Sequence, residues 1–202
     1  MKLLFSPPSP FVRKVRVTAL EKRIANEIEI VPAHPWPEPT AVIPFNPLGK
    51  VPTLLLADGS ALYDSCVICE YLDSMGKGPA LLPTSLPERL RVLRRQALAD
   101  GMLDAAVNIV LELRRPQQLQ SQAMLERFQS AVRRCVRQLP AEIEDPGSCF
   151  DLGQIAIACA VGYVEFRLPE LDFGLAAQSS LCDWWSIIRE RPSMATTEPT
   201  LV

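Results

Sequence analysis

The chain contains one histidine, His34, in 202 residues. Metal centres built from clustered imidazoles and thiolates, and Ser–His–Asp triads with a freely placed base, lose their usual components. Neither sign of charge dominates: 21 basic and 23 acidic residues give a net charge of −2. No nucleic-acid or anionic-membrane partner is therefore expected. Long hydrophobic runs are also missing. The start, MKLLFSPPSP, offers three apolar residues before prolines interrupt, too few for a signal-peptide core, and no later stretch is suited to spanning a bilayer. A soluble, cytoplasmic protein is the expectation. The sequence holds no GxGxxG, no P-loop and no internal repeat. Its six cysteines (66, 69, 135, 149, 159 and 182) lie scattered in apolar, helix-like contexts. That pattern suits small core residues in a reducing compartment, not a disulfide framework.

What is present divides the chain in two. KLLF reads as a short buried strand and residues 10–23 as a helix, with Val12, Val15 and Ala19 on its apolar face and Arg13, Lys14 and Arg16 on others. EIEIV (27–31) reads as a second strand, and the proline-rich stretch 32–50 as irregular structure. VPTLLLADGSALYDS holds a hairpin: Thr53 to Leu56, a turn at Asp58-Gly59, and Ala61 to Tyr63. Asp64-Ser65 then opens a helix to about Ser74. After the linker GKGPALLPTSLP (76–87) the strand signals vanish. Helices are predicted over 86–114, 118–139, 155–166 and 179–191. Leu125, Phe128, Val132, Cys135, Val136 and Leu139 share one face of the second. The third is apolar all round, with Asp151 as its cap and Gln154 reaching back to complete a capping box. The tail from Pro192 is expected to be loosely held. The reading is an α/β domain followed by an all-α domain.

Three places could carry chemistry. FSPPSPFVRKVRV sets two serines among three prolines ahead of a helix. A hydroxyl there serves as a helix cap, or holds an anion at the outward-pointing N–H groups. Val51-Pro52 starts a strand. Asp64-Ser65 reads first as a helix cap, at a helix start that can also hold an anion. Cys66-Val-Ile-Cys69 has the spacing of a redox couple, but it lies inside a helix among Val67, Ile68 and Leu72, so both cysteines are read as packing residues.

SPFVRKVRV, NPLGKVP and DS, in this order and joined to an all-α second half, resemble the cytosolic glutathione S-transferases over essentially the whole chain. The resemblance implies a thioredoxin-like first domain (1–77) that binds glutathione. It implies an all-helical second domain (86–202) that forms the site for a small hydrophobic electrophile and part of a homodimer interface. Serine before Pro-Phe is similar to the serine-using zeta, theta and tau-like classes and their bacterial relatives. Ser9 then stands at the catalytic position, donating a hydrogen bond to the glutathione thiolate, and Ser6 is structural. A tyrosine-using enzyme would want its phenol near residue 5, which is Phe5.

The resemblance also makes the Val51-Pro52 bond cis, so that Val51 pairs with the cysteinyl unit of glutathione through its N–H and C=O. Ser65 meets the γ-glutamyl carboxylate and Asp64 its ammonium group. Lys50 meets the glycyl end, or is simply solvated; Phe11 lines the pocket, or packs under the loop. His34, near Trp36, could approach the glycyl end. Met102, Ala105, Ala106 and Ile109 would form an apolar wall for the electrophile, with Arg114 and Arg115 nearby. Glutathione is the co-substrate and no metal is expected. Two other functions stay open: a non-catalytic interaction protein of the same fold, and a glutathione-dependent isomerase, dehalogenase or peroxidase.

Overall fold

A computed structural model of the chain describes residues 1–34 and 40–200. They form two compact units: Met1–Pro83 with the tail from Pro192, and Thr84–Arg191.

In the first unit, β1 (Lys2–Phe5), α1 (Pro10–Glu21), β2 (Glu29–Pro32), β3 (Thr53–Leu55), β4 (Ala61–Leu62) and α2 (Ser65–Met75) follow in order. The sheet runs β2-β1-β3-β4, with β1 parallel to β2 and the other pairs antiparallel. This is a thioredoxin-like sheet. Leu3 and Leu54 face each other and are buried, whereas β2 forms an edge and leaves Ile30 exposed. The hairpin turn falls where Asp58-Gly59 places it: Gly59 takes φ +87°, which a side chain would resist.

Helix α1 buries Val12, Val15 and Ala19 as expected, but it also buries Arg13 (7% exposed) and Lys14 (0%). A charged residue on a surface helix usually reaches water; here other elements cover those faces. Arg13 Nη2 donates to the carbonyl of Met194, 3.0 Å away, in a final short helix α7 (Pro192–Ala195). The Ser193 hydroxyl donates to the Glu21 carboxylate. The tail is thus not loose. It packs with the first unit, and Met194 and Thr197 are buried.

At the other end of α1, Lys22 is 3% exposed. Its Nζ lies 2.9 Å from Asp73 Oδ1 and donates to the carbonyls of Gly78 (3.1 Å) and Pro79 (2.7 Å). Asp73 also accepts from the N–H groups of Leu81 and Leu82. The chain passes so near that a Cβ at Gly78 would fall 2.1 Å from the Glu21 carbonyl oxygen.

The second unit is helical: α3 (Leu86–Leu113), α4 (Gln122–Gln138), α5 (Leu152–Arg167) and α6 (Ser179–Ile188). Every residue of α5 from Leu152 to Val164 is buried, so α5 is the core of this unit, as its apolar circumference predicts. Asp151 caps it, accepting from Gln154 N–H at 2.9 Å. The Gln154 side chain does not reach back; it donates to the Glu142 carbonyl and accepts from Glu144 N–H. Its partner is the preceding loop, so only half of the capping box forms. Arg95, buried in α3, binds Glu144 at 2.6 Å and lies 3.5 Å from Asp151. Hydrogen bonds from Arg94 hold the Glu142 carboxyl below its ordinary range, while burial pushes Asp151 up. Among the described residues no helix is long and apolar enough to cross a membrane.

Removing one member of a buried ion pair strands the other. Lys22→Met should lower the unfolding free energy by about 3–5 kcal/mol. Chemical denaturation measures it, and a loss under about 1 kcal/mol would mean that Asp73 is satisfied by its two backbone donors alone.

Candidate functional site

The strand register gathers the three sequence motifs at one end of the sheet. Leu4, late in β1, pairs with Thr53, the first residue of β3. The peptide Val51-Pro52 therefore sits beside the end of β1, where the chain turns into α1. Strand β4 returns antiparallel to β3, with Leu62 opposite Leu54, so α2 begins at that same end. Two helix N-termini and one open backbone segment share that end.

Ser9 is the N-cap of α1, and its Oγ accepts from Val12 N–H at 3.3 Å. Pro10 occupies the first helical turn, where its missing N–H costs nothing. A hydroxyl carries one donor and two acceptor sites, so capping leaves the Ser9 O–H available. Ser6 is buried and its carbonyl accepts from Ser9 N–H at 3.0 Å, a tight turn that fixes the cap. The first turn of α1 has no acidic residue, so no carboxylate of its own offsets the positive helix end.

The Val51-Pro52 peptide is cis. Among the described residues none bonds the N–H or C=O of Val51. The loop before it is organised by Asn46, which is buried. The Asn46 amide donates to the Lys50 carbonyl and to Thr53 Oγ1, both at 3.0 Å, and its oxygen accepts from Leu48 N–H. Gly49 supplies the positive φ, +62°, that the turn needs. The Lys50 side chain is exposed.

Asp64 is the N-cap of α2, accepting from Cys66 N–H at 3.0 Å, and is itself exposed. Ser65 is 2% exposed, and its hydroxyl bonds to no described residue. Cys66 is half-exposed, in the first turn rather than deeper in the helix, and its Sγ lies 3.7 Å from Lys14 Nζ. The expectation that both cysteines of the CxxC pair pack holds for Cys69, which is buried and accepts from the Thr18 hydroxyl at 3.3 Å. It does not hold for Cys66. The Lys14 ammonium also stands 5.9 Å from the half-buried Phe11 ring.

The model of the glutathione S-transferase N-terminal domain matches residues 8–75. The GST-like protein YibF of Escherichia coli is 42% identical over 170 residues, covering 83% of each chain. The chain belongs to the glutathione S-transferase family. A glutathione transferase family member of Pseudomonas fluorescens, solved with bound glutathione, superposes with a TM-score of 0.94 at 37% identity, covering 99% of both chains. A glutathione S-transferase of Methylobacillus flagellatus, also solved with glutathione, gives 0.90 at 39% identity over 98% of this chain and 99% of that one.

Within this glutathione S-transferase fold, Ser9, Val51, Asp64 and Ser65 stand at one end of the sheet, with Phe11 a half-turn into α1. Lys50 leads into that end by its backbone; its side chain is at the surface. His34 is exposed, and Trp36 lies outside the described residues. Met102, Ala106 and Ile109 have no exposed surface, so they are core residues of the helical unit and not the apolar wall expected of them; Arg114 and Arg115 are exposed. Sequence reasoning missed Asn46 as the organiser of the loop, although an asparagine ahead of Pro-Leu-Gly is a turn signal. It also missed the burial of Lys14, for which an i, i+3, i+4 pattern holds no signal.

The capping geometry has its own consequence. Asn also caps well, so Asp64→Asn should leave unfolding free energy within about 0.5 kcal/mol, while Ser9→Ala and Asp64→Ala each cost about 1 kcal/mol. Denaturant melts of the three variants check this; equal losses for both Asp64 variants would show that its charge, not its cap, supports the helix.

Proposed function

We propose that the chain is a serine-type glutathione transferase that ionises the glutathione thiol for attack on small hydrophobic electrophiles, a cytoplasmic detoxification activity. The observation that carries it is Ser9: a cap whose oxygen is engaged by Val12 N–H and whose proton remains to be donated, at the positive end of α1. The relatives solved with glutathione support the ligand.

The energetic requirement is modest. A free thiol of pKa ~8.5 is only about 3% thiolate at neutral pH, and lowering that pKa by two units takes about 2.7 kcal/mol. A hydrogen bond to an anion supplies about 1.5–3 kcal/mol and a helix N-terminus about 0.3–2. Ser9 and α1 together meet the demand. The serine stays a donor throughout, and the glutathione sulfur is the nucleophile. It attacks the electrophilic carbon, the bond to the leaving group breaks, and the electron pair departs with that group.

Binding follows the same residues. The open N–H and C=O of Val51 pair with the cysteinyl unit of glutathione as one added strand. Ser65 takes the γ-glutamyl carboxylate at the start of α2, Asp64 takes the ammonium group, and Lys50 faces the glycyl end. Phe11 lines the thiol pocket. The helical domain supplies the electrophile site. Val67 and Met75 on α2, and Leu86 and Leu90 on α3, are exposed apolar side chains that a second copy in a homodimer would cover.

Ser9→Ala should raise the pKa of bound glutathione by about 1–2 units, the equivalent of one hydrogen bond to the thiolate, while affinity changes only a few fold. Thiolate absorbance against pH measures it, and superimposable curves would remove Ser9 from the mechanism. Asp64→Asn should weaken glutathione binding by about tenfold or more, the value of a charged hydrogen bond; unchanged calorimetric affinity would remove the ammonium contact. Turnover of an aryl halide, an organic peroxide or an α-halo acid identifies the reaction, whereas glutathione binding with no turnover of any would mark an interaction protein.

A further inference from the structure

We propose that Cys66 is a redox-modification site at which glutathione disulfide forms a mixed disulfide that closes the γ-glutamyl corner. The effect on function rests on the glutathione-binding reading above; the reactivity of Cys66 does not.

The cysteines sort by surroundings. Cys69 and Cys159 are buried. Burial pushes the Cys135 thiol up, more than Arg134 brings it down, which makes that thiol inert. Cys182 is exposed and its Sγ contacts the Leu175 carbonyl at 3.3 Å; Cys149 is exposed too. Cys66 combines three features that favour a reactive thiolate. It is accessible, it stands in the first turn of α2, and Lys14 Nζ, on a residue with no exposed surface, lies 3.7 Å from its Sγ. A cation in contact and a helix N-terminus both lower a thiol pKa. Beside it, Ser65 is a second sign that this corner takes a polar ligand: the residue is 2% exposed and its hydroxyl bonds to no described residue.

The partner thiol must come from outside the helix. Cys69, three residues on, lies buried with its sulfur accepting from Thr18. In the proposed exchange the Cys66 thiolate attacks one sulfur of glutathione disulfide. The old S–S bond breaks, a new one joins Cys66 to a glutathionyl group, and the other half leaves as glutathione thiolate and takes a proton from water. One disulfide is consumed and one formed, so no further oxidant is needed. The adduct then occupies the space next to Ser65 and excludes free glutathione, which couples binding to the redox state of the glutathione pool.

The test uses the full chain and glutathione disulfide, with peptide mass mapping over time and calorimetry with S-methylglutathione, which has no free thiol. Cys66 should be modified about threefold faster than Cys149 and Cys182, because a larger thiolate fraction is partly offset by the lower nucleophilicity of a more acidic thiol, and the modified protein should lose S-methylglutathione binding. Lys14→Met should slow Cys66 but not the other two, and Cys66→Ser should bind equally before and after exposure. Should Lys14→Met fail to fold, the comparison among cysteines within the unaltered protein decides the reactivity. Equal or slower modification of Cys66, or an adduct that leaves binding intact, would overturn the proposal. If the unmodified protein does not bind S-methylglutathione, the glutathione-site reading fails and the closure proposed here is overturned with it, while the relative rates still report on Cys66.

Discussion

The antiparallel pairing of β1 with β3, Leu4 opposite Thr53, is the constraint on which the candidate site depends. It lays Val51-Pro52 beside the end of β1, and the return of β4 brings the start of α2 to the same end. Shifting that register by one residue would turn the buried leucine of the strand that slipped, Leu3 or Leu54, out of the core. The burial of those side chains, completely enclosed for both, thus keeps the two helix N-termini together. Hydrophobic packing sets the electrostatics of this protein.

The positive ends of two helices lie at that end of the sheet. Two helix starts meet there, capped by Ser9 and Asp64. Helix α1 carries Arg13, Lys14 and Arg16 near its start and no acidic residue in its first turn, the reverse of what would best stabilise an isolated helix. Burial, and then Arg13, draw the Arg16 guanidinium below its ordinary value, a sign of how much like charge the helix tolerates. Tertiary contacts hold it in place: the tail helix accepts from Arg13, and Lys22 with Asp73 ties α1 to the segment after α2.

Much of this was legible in the residues. The hairpin followed from Asp58-Gly59 between apolar runs, and the buried α5 from its uninterrupted apolar circumference. Ser9 and Asp64 were readable as caps because capping is local chemistry, decided within three residues. What escaped was set by distant partners. Lys14 and Arg13 look like solvent-facing charges until α2 and the tail cover them. Gln154 turned to the loop at Glu142 and Glu144 instead of its own cap. Met102 and Ile109 appeared suited to a cleft, yet periodicity shows only that a face is apolar, not whether protein or ligand covers it.

On the function proposed above, glutathione lies along this end of the sheet with its sulfur at the start of α1 and its γ-glutamyl carboxylate at the start of α2. A crystal structure of this protein with glutathione tests it most directly. The sulfur should lie within hydrogen-bond distance of Ser9 Oγ, with the cysteinyl amide on Val51 and the carboxylate on Ser65. Glutathione bound with its sulfur remote from Ser9, or with its γ-glutamyl end away from α2, would rule this binding mode out.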